Sequence, residues 1–189
     1  MNKEIDVSKL ILRTERLVLR PFKFSDLNDL YEYAKVPGVG EAAGWSHHKD
    51  ISESKSILSN FINGNHTLAI TYNDKVIGSI GIDRYNESYL KEFDDFSGRE
   101  LGFVLSKDYW GMGIMPEALR CVINYLFKVE HLDFLVCSHF DNNLRSKRVQ
   151  EKVGFKPYKR TQFNNIGENG QRITGVINIL VNSEEVALI

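Results

Sequence analysis

A chain of 189 residues, 42% hydrophobic, 11% aromatic and 26% charged, fits one ordinary folded domain and is neither disordered nor embedded in a membrane. With 24 basic against 25 acidic side chains, no net field draws it to nucleic acid or anionic lipid, so neither is an expected partner. Lys3, Glu4 and Asp6 put charges where a secretory signal needs an apolar run, and no apolar stretch reaches about 18 residues, which points to the cytoplasm. Cys121 and Cys137 lie in apolar contexts and are expected to be reduced and buried.

In chain order, Leu10 to Arg20 alternates loosely and ends at Pro21, the pattern of an opening strand. Ser25 can cap a helix whose apolar face is Leu27, Leu30, Tyr31 and Ala34, stopped by Pro37-Gly38. An irregular loop from Gly38 to Lys49 follows, and loops of this kind often touch ligands. Asp50 and Glu53 form a capping-box pattern ahead of a second helix with Ile57, Leu58, Phe61 and Ile62 on its buried side. His66 to Tyr72 and Lys75 to Ile82 read as a hairpin turning at Asn73-Asp74. Asp83 to Gly98 is polar and acidic, a long connection expected to carry solvated charge.

Arg99 to Ser106 is a strand by composition. Pro116 to Lys128 is the clearest helix, with Leu119, Val122, Ile123, Leu126 and Phe127 on one face. Asp133 to Ser138 predicts a strand, Asn143 to Lys152 a helix closed by Gly154, and Ile173 to Val181 a final apolar strand with a partner in residues 155 to 163. One domain over residues 1–189, with its core at about 10–181, is expected.

Glu100-Leu101-Gly102-Phe103-Val104-Leu105-Ser106 and Tyr109-Trp110-Gly111-Met112-Gly113-Ile114-Met115-Pro116 together form a strand, a glycine loop and a helix start. Gly111 and Gly113 let backbone approach a ligand, and the loop N–H groups lie at the positive end of the helix dipole, a seat for phosphates. Pro116 fits the first turn, where its missing N–H removes no intrahelical bond. A lone G-x-G also reads as a tight turn needing glycine for sterics. No G-K-[ST] follows and the G-x-G-x-x-G spacing fails, so a pyrophosphate other than that of ATP or NAD is the natural candidate.

The sequence resembles the GNAT superfamily of N-acetyltransferases, and within it the RimJ/RimL type that acetylates ribosomal-protein alanine. Arg-Leu-Val-Leu-Arg-Pro at 16–21 looks like the opening strand of that group and Tyr109 to Leu119 like its coenzyme A loop. Asn143-Leu144-Arg145-Ser146 through Glu151-Lys152-Val153-Gly154-Phe155 looks like its second cofactor motif. The likeness implies an α/β (α+β) acyl-CoA N-acyltransferase fold. Its mixed, mostly antiparallel twisted sheet has six or seven strands, a V-shaped splay and helices on both faces.

Acetyl-CoA would enter the splay as cosubstrate and pass its acetyl group directly to the amine. Its pantetheine would pair with backbone of Phe103, Val104 and Leu105, its pyrophosphate would meet N–H groups of Gly111, Met112, Gly113, Ile114 and Met115, and Asn143 would bond the pantetheine arm. The family loop usually begins with Arg or Gln and ends with Gly or Ala. Trp110 and Met115 stand there instead, which leaves backbone binding intact and removes phosphate-binding side chains. Relatives are often dimers, so the resemblance also admits a homodimer.

Acetyl transfer to an amine needs a neutral nitrogen, a polarised thioester carbonyl and stabilisation of the departing thiolate. The resemblance implies a primary-amine acceptor, either a protein or peptide N-terminus or a small-molecule amine. A peptide α-amine, with a pKa of about 7.7–8.0, is roughly a tenth neutral at pH 7, whereas lysine at about 10.4 is nearly all charged, so an α-amine needs less help from a base. The resemblance puts Glu100 in the role of base, against the alternative of a surface glutamate paired with Arg99. Gln162 stands where RimL-like enzymes carry another candidate glutamate.

The usual acid, a tyrosine four residues before Gly154-Phe155, is replaced by Gln150. Ser146 of Asn-x-x-Ser could stabilise the leaving sulfur, or could serve only the helix. Trp45 and His47 lie in the loop that walls the acceptor site in the family, though a tryptophan beside glycine also fills cores. Cys137 and His139 could share a strand face, but two ligands make no metal site and no metal is expected. A non-catalytic acyl-CoA-binding module remains the competing reading, motivated by Gln150 and Gln162.

Overall fold

The computed structural model describes residues 1–164 and 172–182, so the expected 1–189 domain extends into residues 165–171 and 183–189, outside the described ones. The opening strand is two, β1 (Leu12–Arg13) and β2 (Leu17–Pro21), because the chain reverses at Thr14-Glu15-Arg16. The turn is fixed by Thr14 Oγ1, which accepts from Leu17 N at 3.0 Å. After α1 (Leu27–Ala34) and α2 (Ile51–Gly64) come β3 (Thr67–Tyr72), β4 (Lys75–Asp83) and β5 (Gly98–Leu105). Then follow α3 (Ile114–Lys128), β6 (Phe134–Phe140), α4 (Leu144–Lys152), β7 (Lys156–Asn164) and β8 (Arg172–Val181).

Local chemistry explains most boundaries. Asn73 and Asp74 both take positive φ, the left-handed pair that a two-residue hairpin turn demands. Asp50 Oδ1 accepts from Ser52 N at 2.7 Å and Glu53 N at 3.0 Å, capping α2 as the sequence predicts. Ser25 does not cap α1. It lies inside a 3₁₀ turn, Phe24–Asp26, and Asp26 takes the N-cap position.

Among the described residues the sheet runs β1-β2-β3-β4-β5-β6-β8-β7, eight strands in place of the six or seven expected. It is antiparallel except where β5 meets β6. That parallel contact covers Gly98↔Phe134, Arg99↔Leu135 and Glu100↔Val136 and then ends, although β5 continues to Leu105 and β6 to Phe140. At the closed end, Asp133 Oδ2 accepts from Ser97 N at 2.7 Å and Ser97 Oγ at 2.8 Å, and Asp133 N returns a bond to Ser97 O. The two strands are thus pinned at one end and diverge toward the other.

Strand alternation sends side chains to opposite faces. Leu101 and Leu105 of β5, with Leu135 and Cys137 of β6, join the face of α3 that contains Ala118, Leu119, Val122 and Leu126. Cys137 is buried, whereas Cys121 is only half-buried; both thiols are free. On the other face α1 and α2 pack Leu30, Tyr33, Ala34 and Leu58 against Ala69 and Val76. The acidic connection is not simply solvated. Its Tyr85 and Leu90 are buried, and with Phe93 and Phe96 they cover Phe134, Val136, Ile177 and Ile179 in a cluster that includes no α-helix residue among the described residues.

Arg20 and Asp26 join the end of β2 to the start of α1 through two bonds of 2.8 Å, and Asp26 also accepts from Lys23 N at 2.8 Å. Asp26 is 5% exposed. Removing one partner of such a pair strands a charge away from water. Asp26→Ala is expected to cost about 3 kcal/mol in urea unfolding, with an unchanged denaturant slope.

Candidate active site

The divergence of β5 from β6 opens a cleft of about 530 Å³. It is lined by residues 100–105 of β5, the loop and first turn of α3, Cys137 to Phe140 of β6, and one face of α4.

The loop after β5 folds as a 3₁₀ turn at Lys107–Tyr109 and then places Gly111 and Gly113 at φ of 80° and 74°, where a side chain would be strained. Gly113 is the N-cap of α3 and no side chain caps the helix. The first intrahelical bond is Glu117 N to Gly113 O, so the N–H groups of Ile114 and Met115 precede it, at the positive end of a 15-residue helix. The arrangement suits a phosphate.

Arg16 buttresses this loop from behind, donating from Nη1 to Met112 O at 3.1 Å and from Nε to Glu117 Oε2 at 2.7 Å. Trp110 Nε1 donates to Leu105 O at 2.9 Å, and Arg145 lies 4.1 Å above the tryptophan ring. Gly111, Gly113, Ile114 and Met115 line the cleft together with Phe103, Val104 and Leu105. Met112 does not; its side chain is exposed.

Glu100 lies at the apex of the opening. Burial raises its pKa above the ordinary carboxylate value, Ser138 Oγ donating at 3.1 Å opposes that shift, and the charge of Asp83, its cross-strand neighbour, adds to it. The alternative pairing of Glu100 with Arg99 does not form, because Arg99 donates to Lys3 O and lies 3.7 Å from Glu4. Ser146 and Asn143 both line the cleft. Asn143 caps α4, its Oδ1 accepting from Ser146 N at 3.0 Å, and its Nδ2 donates to Ala42 O at 2.9 Å, tying the 38–48 loop to α4.

That loop presents Val39, Ala42 and Ala43 to the cleft, not Trp45 or His47. The reason is Glu41. Burial would raise its pKa, but bonds from the His47 side chain and from the N–H groups of His47 and Gly38 lower it to about 2, and they curl the loop on itself. Trp45 packs against Gly40 and the buried His48. Gln162 is exposed on β7 and away from the cleft.

Sequence reasoning missed Arg145, Arg148 and Lys152, which bring three cations to the cleft. Their spacing of three and four along one helix face was the available signal. Nor did it find the buried Asn178 behind Gln150, for which a single strand position gives no signal. Among the described residues, no group of three or more His, Cys, Asp or Glu could hold a metal ion, and no helix is long and apolar enough to cross a membrane.

Residues 16–156 match the Acetyltransferase (GNAT) domain family, and the chain belongs to that family of acetyltransferases. It is similar to an uncharacterized N-acetyltransferase, p20, of Bacillus licheniformis, at 25% identity over 77% of this chain and 82% of that one. Two solved structures share the fold. One is the microcin C7 self-immunity acetyltransferase MccE in complex with acetyl-CoA and AMP, with a TM-score of 0.73 and 19% identity over 89% of this chain and 93% of that one. The other is the ribosomal-protein-S5-alanine acetyltransferase of Vibrio fischeri, with a TM-score of 0.71 and 18% identity over 93% and 98%. The chain is therefore an N-acetyltransferase of the GNAT fold, an enzyme using acetyl-CoA.

No protein atom beyond its chain neighbours lies within 4 Å of a Cβ built on Gly111, so a side chain there meets only its own strained φ and the cleft. Gly111→Val is expected to weaken coenzyme A binding roughly tenfold in calorimetric titration while the melting temperature moves by only a few degrees.

Proposed function

We propose that the enzyme moves acetyl from acetyl-CoA to the α-amine of a protein or peptide N-terminus by direct transfer in a ternary complex, as in the RimJ/RimL type. The observation that carries this reading is the opening between β5 and β6, with uncapped helix N–H groups at one wall and a half-buried carboxylate, Glu100, at its apex. A cytoplasmic location goes with this donor, and residues 1–189 are taken as one domain.

In the proposed arrangement the diphosphate lies against the N–H groups of the 111–115 loop, and the arm runs along Phe103, Val104 and Leu105. Arg145, Arg148 and Lys152 supply the cationic side chains that Trp110 and Met115 do not. The amine nitrogen attacks the thioester carbon and the C–S bond breaks with its electron pair going to sulfur. Glu100, directly or through water, takes the amine proton, and Ser146 donates a hydrogen bond to the thiolate, which is then protonated by solvent. A carboxylate with a raised pKa is the better proton acceptor.

An α-amine acceptor fits a site with one carboxylate base better than lysine does, because more of the α-amine is already neutral near pH 7. The fold shared with a ribosomal-protein acetyltransferase supports the same choice. A panel of peptides with free N-termini, N-blocked lysine peptides, free amino acids, polyamines and aminoglycosides, read by thiol release, tests it. Free-N-terminal peptides are expected to give the highest kcat/KM, and preference for polyamines or aminoglycosides would overturn the acceptor assignment.

Since the base form of Glu100 exists only above its raised pKa, activity is expected to fall with acidification, with the limb centred above about 4.5. Glu100→Gln is expected to lower kcat by on the order of a hundredfold and leave the Kd for coenzyme A within about twofold. Unaltered turnover of that variant between about pH 6 and 9 would remove Glu100 from the mechanism.

A further inference from the structure

Gln150 occupies the place of the family's usual acid and is 1% exposed, yet an amide cannot protonate a thiolate. Its hydrogen bonds give it another use. One atom of the Gln150 amide lies 3.0 Å from Ser138 O. A carbonyl oxygen only accepts, so the amide atom facing it must be Nε2, which fixes the orientation of the group. Nε2 then also donates to Ser146 Oγ at 3.0 Å, and both of its protons are committed. Oε1 is left toward Asn178, so the Asn178 atom 2.7 Å away must be its donor, Nδ2. Asn178 is itself 4% exposed, and the same Nδ2 lies 2.9 Å from His139 Nδ1.

The consequence falls on Ser146. With an N–H donated to its oxygen, the serine must direct its own proton elsewhere. Ser56 and Ser59 donate theirs to the carbonyl four residues back, but Ser146 makes no such bond among the described residues. Its remaining open side is the cleft that it lines.

We propose that Gln150 and Asn178 are positioning residues that hold Ser146 as a hydrogen-bond donor toward the acetyl-CoA sulfur. This rests on the acetyl-transfer reading and deepens it: the amide takes over from a phenol by making the serine one turn earlier the donor. No covalent step changes. The C–N bond forms, the C–S bond breaks onto sulfur, Glu100 accepts the amine proton, and the thiolate is held by the Ser146 O–H until water protonates it. Two buried amides in a line cost desolvation unless each bond is made, and here each bond named also restricts Ser146.

The test is a double-mutant cycle on kcat, with coenzyme A affinity and thermal melting measured for every variant. Ser146→Ala is expected to lower kcat roughly tenfold to hundredfold, with the Kd for coenzyme A within about twofold. Gln150→Met should give a loss of similar size, and the double variant should be no slower than Ser146→Ala alone. Should Gln150→Met fail to fold, Asn178→Asp serves in its place, since a carboxylate there removes the donor that Oε1 accepts from and loosens the amide. It should lower kcat when Ser146 is present and not on the Ser146→Ala background. Folded variants whose losses multiply independently, or that leave kcat unchanged, would overturn the proposal alone. A wild-type protein that releases no thiol with any amine would overturn both it and the acetyl-transfer reading.

Discussion

The structure turns on how briefly β5 and β6 stay paired. Three residue pairs hold them together and the Ser97–Asp133 bonds lock the closed end, after which the strands separate. Backbone N–H and C=O groups in a sheet normally find partners on the next strand. Where the strands part, one side of β5 is left open to an extended arm, and the side chains that would fill a sheet interior face a cavity. The placement of Glu100 follows directly, since it is the last β5 residue paired with β6 and so sits where the gap begins.

The α3 cluster underlies both sides of the gap, and a second cluster covers the other face of β6. Behind β5, the α3 face and the Arg16–Glu117 contacts hold the glycine loop and helix terminus against the first strands. Behind β6, the aromatic residues of the 84–97 connection cover Phe134 and Val136. Across the mouth, Asn143 binds the loop carbonyl of Ala42, and Gly44 admits the Phe140 ring close to the backbone. The opening is therefore enclosed by packed elements on both sides, a condition for the precise placement that acyl transfer needs.

Polar groups at the site are sorted by depth. The cations of α4 and the helix N–H groups lie at one wall of the cleft, whereas Glu100, Ser138, Gln150 and Asn178 form a connected line of buried or half-buried groups. Burial raises the pKa of Glu100 and lowers that of His139, so each is shifted toward its neutral form. The buried Cys137 thiol is likewise driven upward, mainly by burial, and stays a core side chain rather than a nucleophile.

The amino-acid sequence by itself determined the strand–glycine loop–helix unit, the α3 face from Leu119 to Leu126, the hairpin at Asn73-Asp74 and the Asp50 cap, because each rests on bonds or packing within a few residues. Tertiary structure alone decided that Glu100 meets Ser138, 38 residues away, and that Gln150 is locked by Asn178. It also turned the Trp45–His47 segment inward through Glu41, sending Val39, Ala42 and Ala43 to the cleft instead. Those outcomes depend on which groups lose water and which distant partners remain to bond them, a balance that no local pattern records.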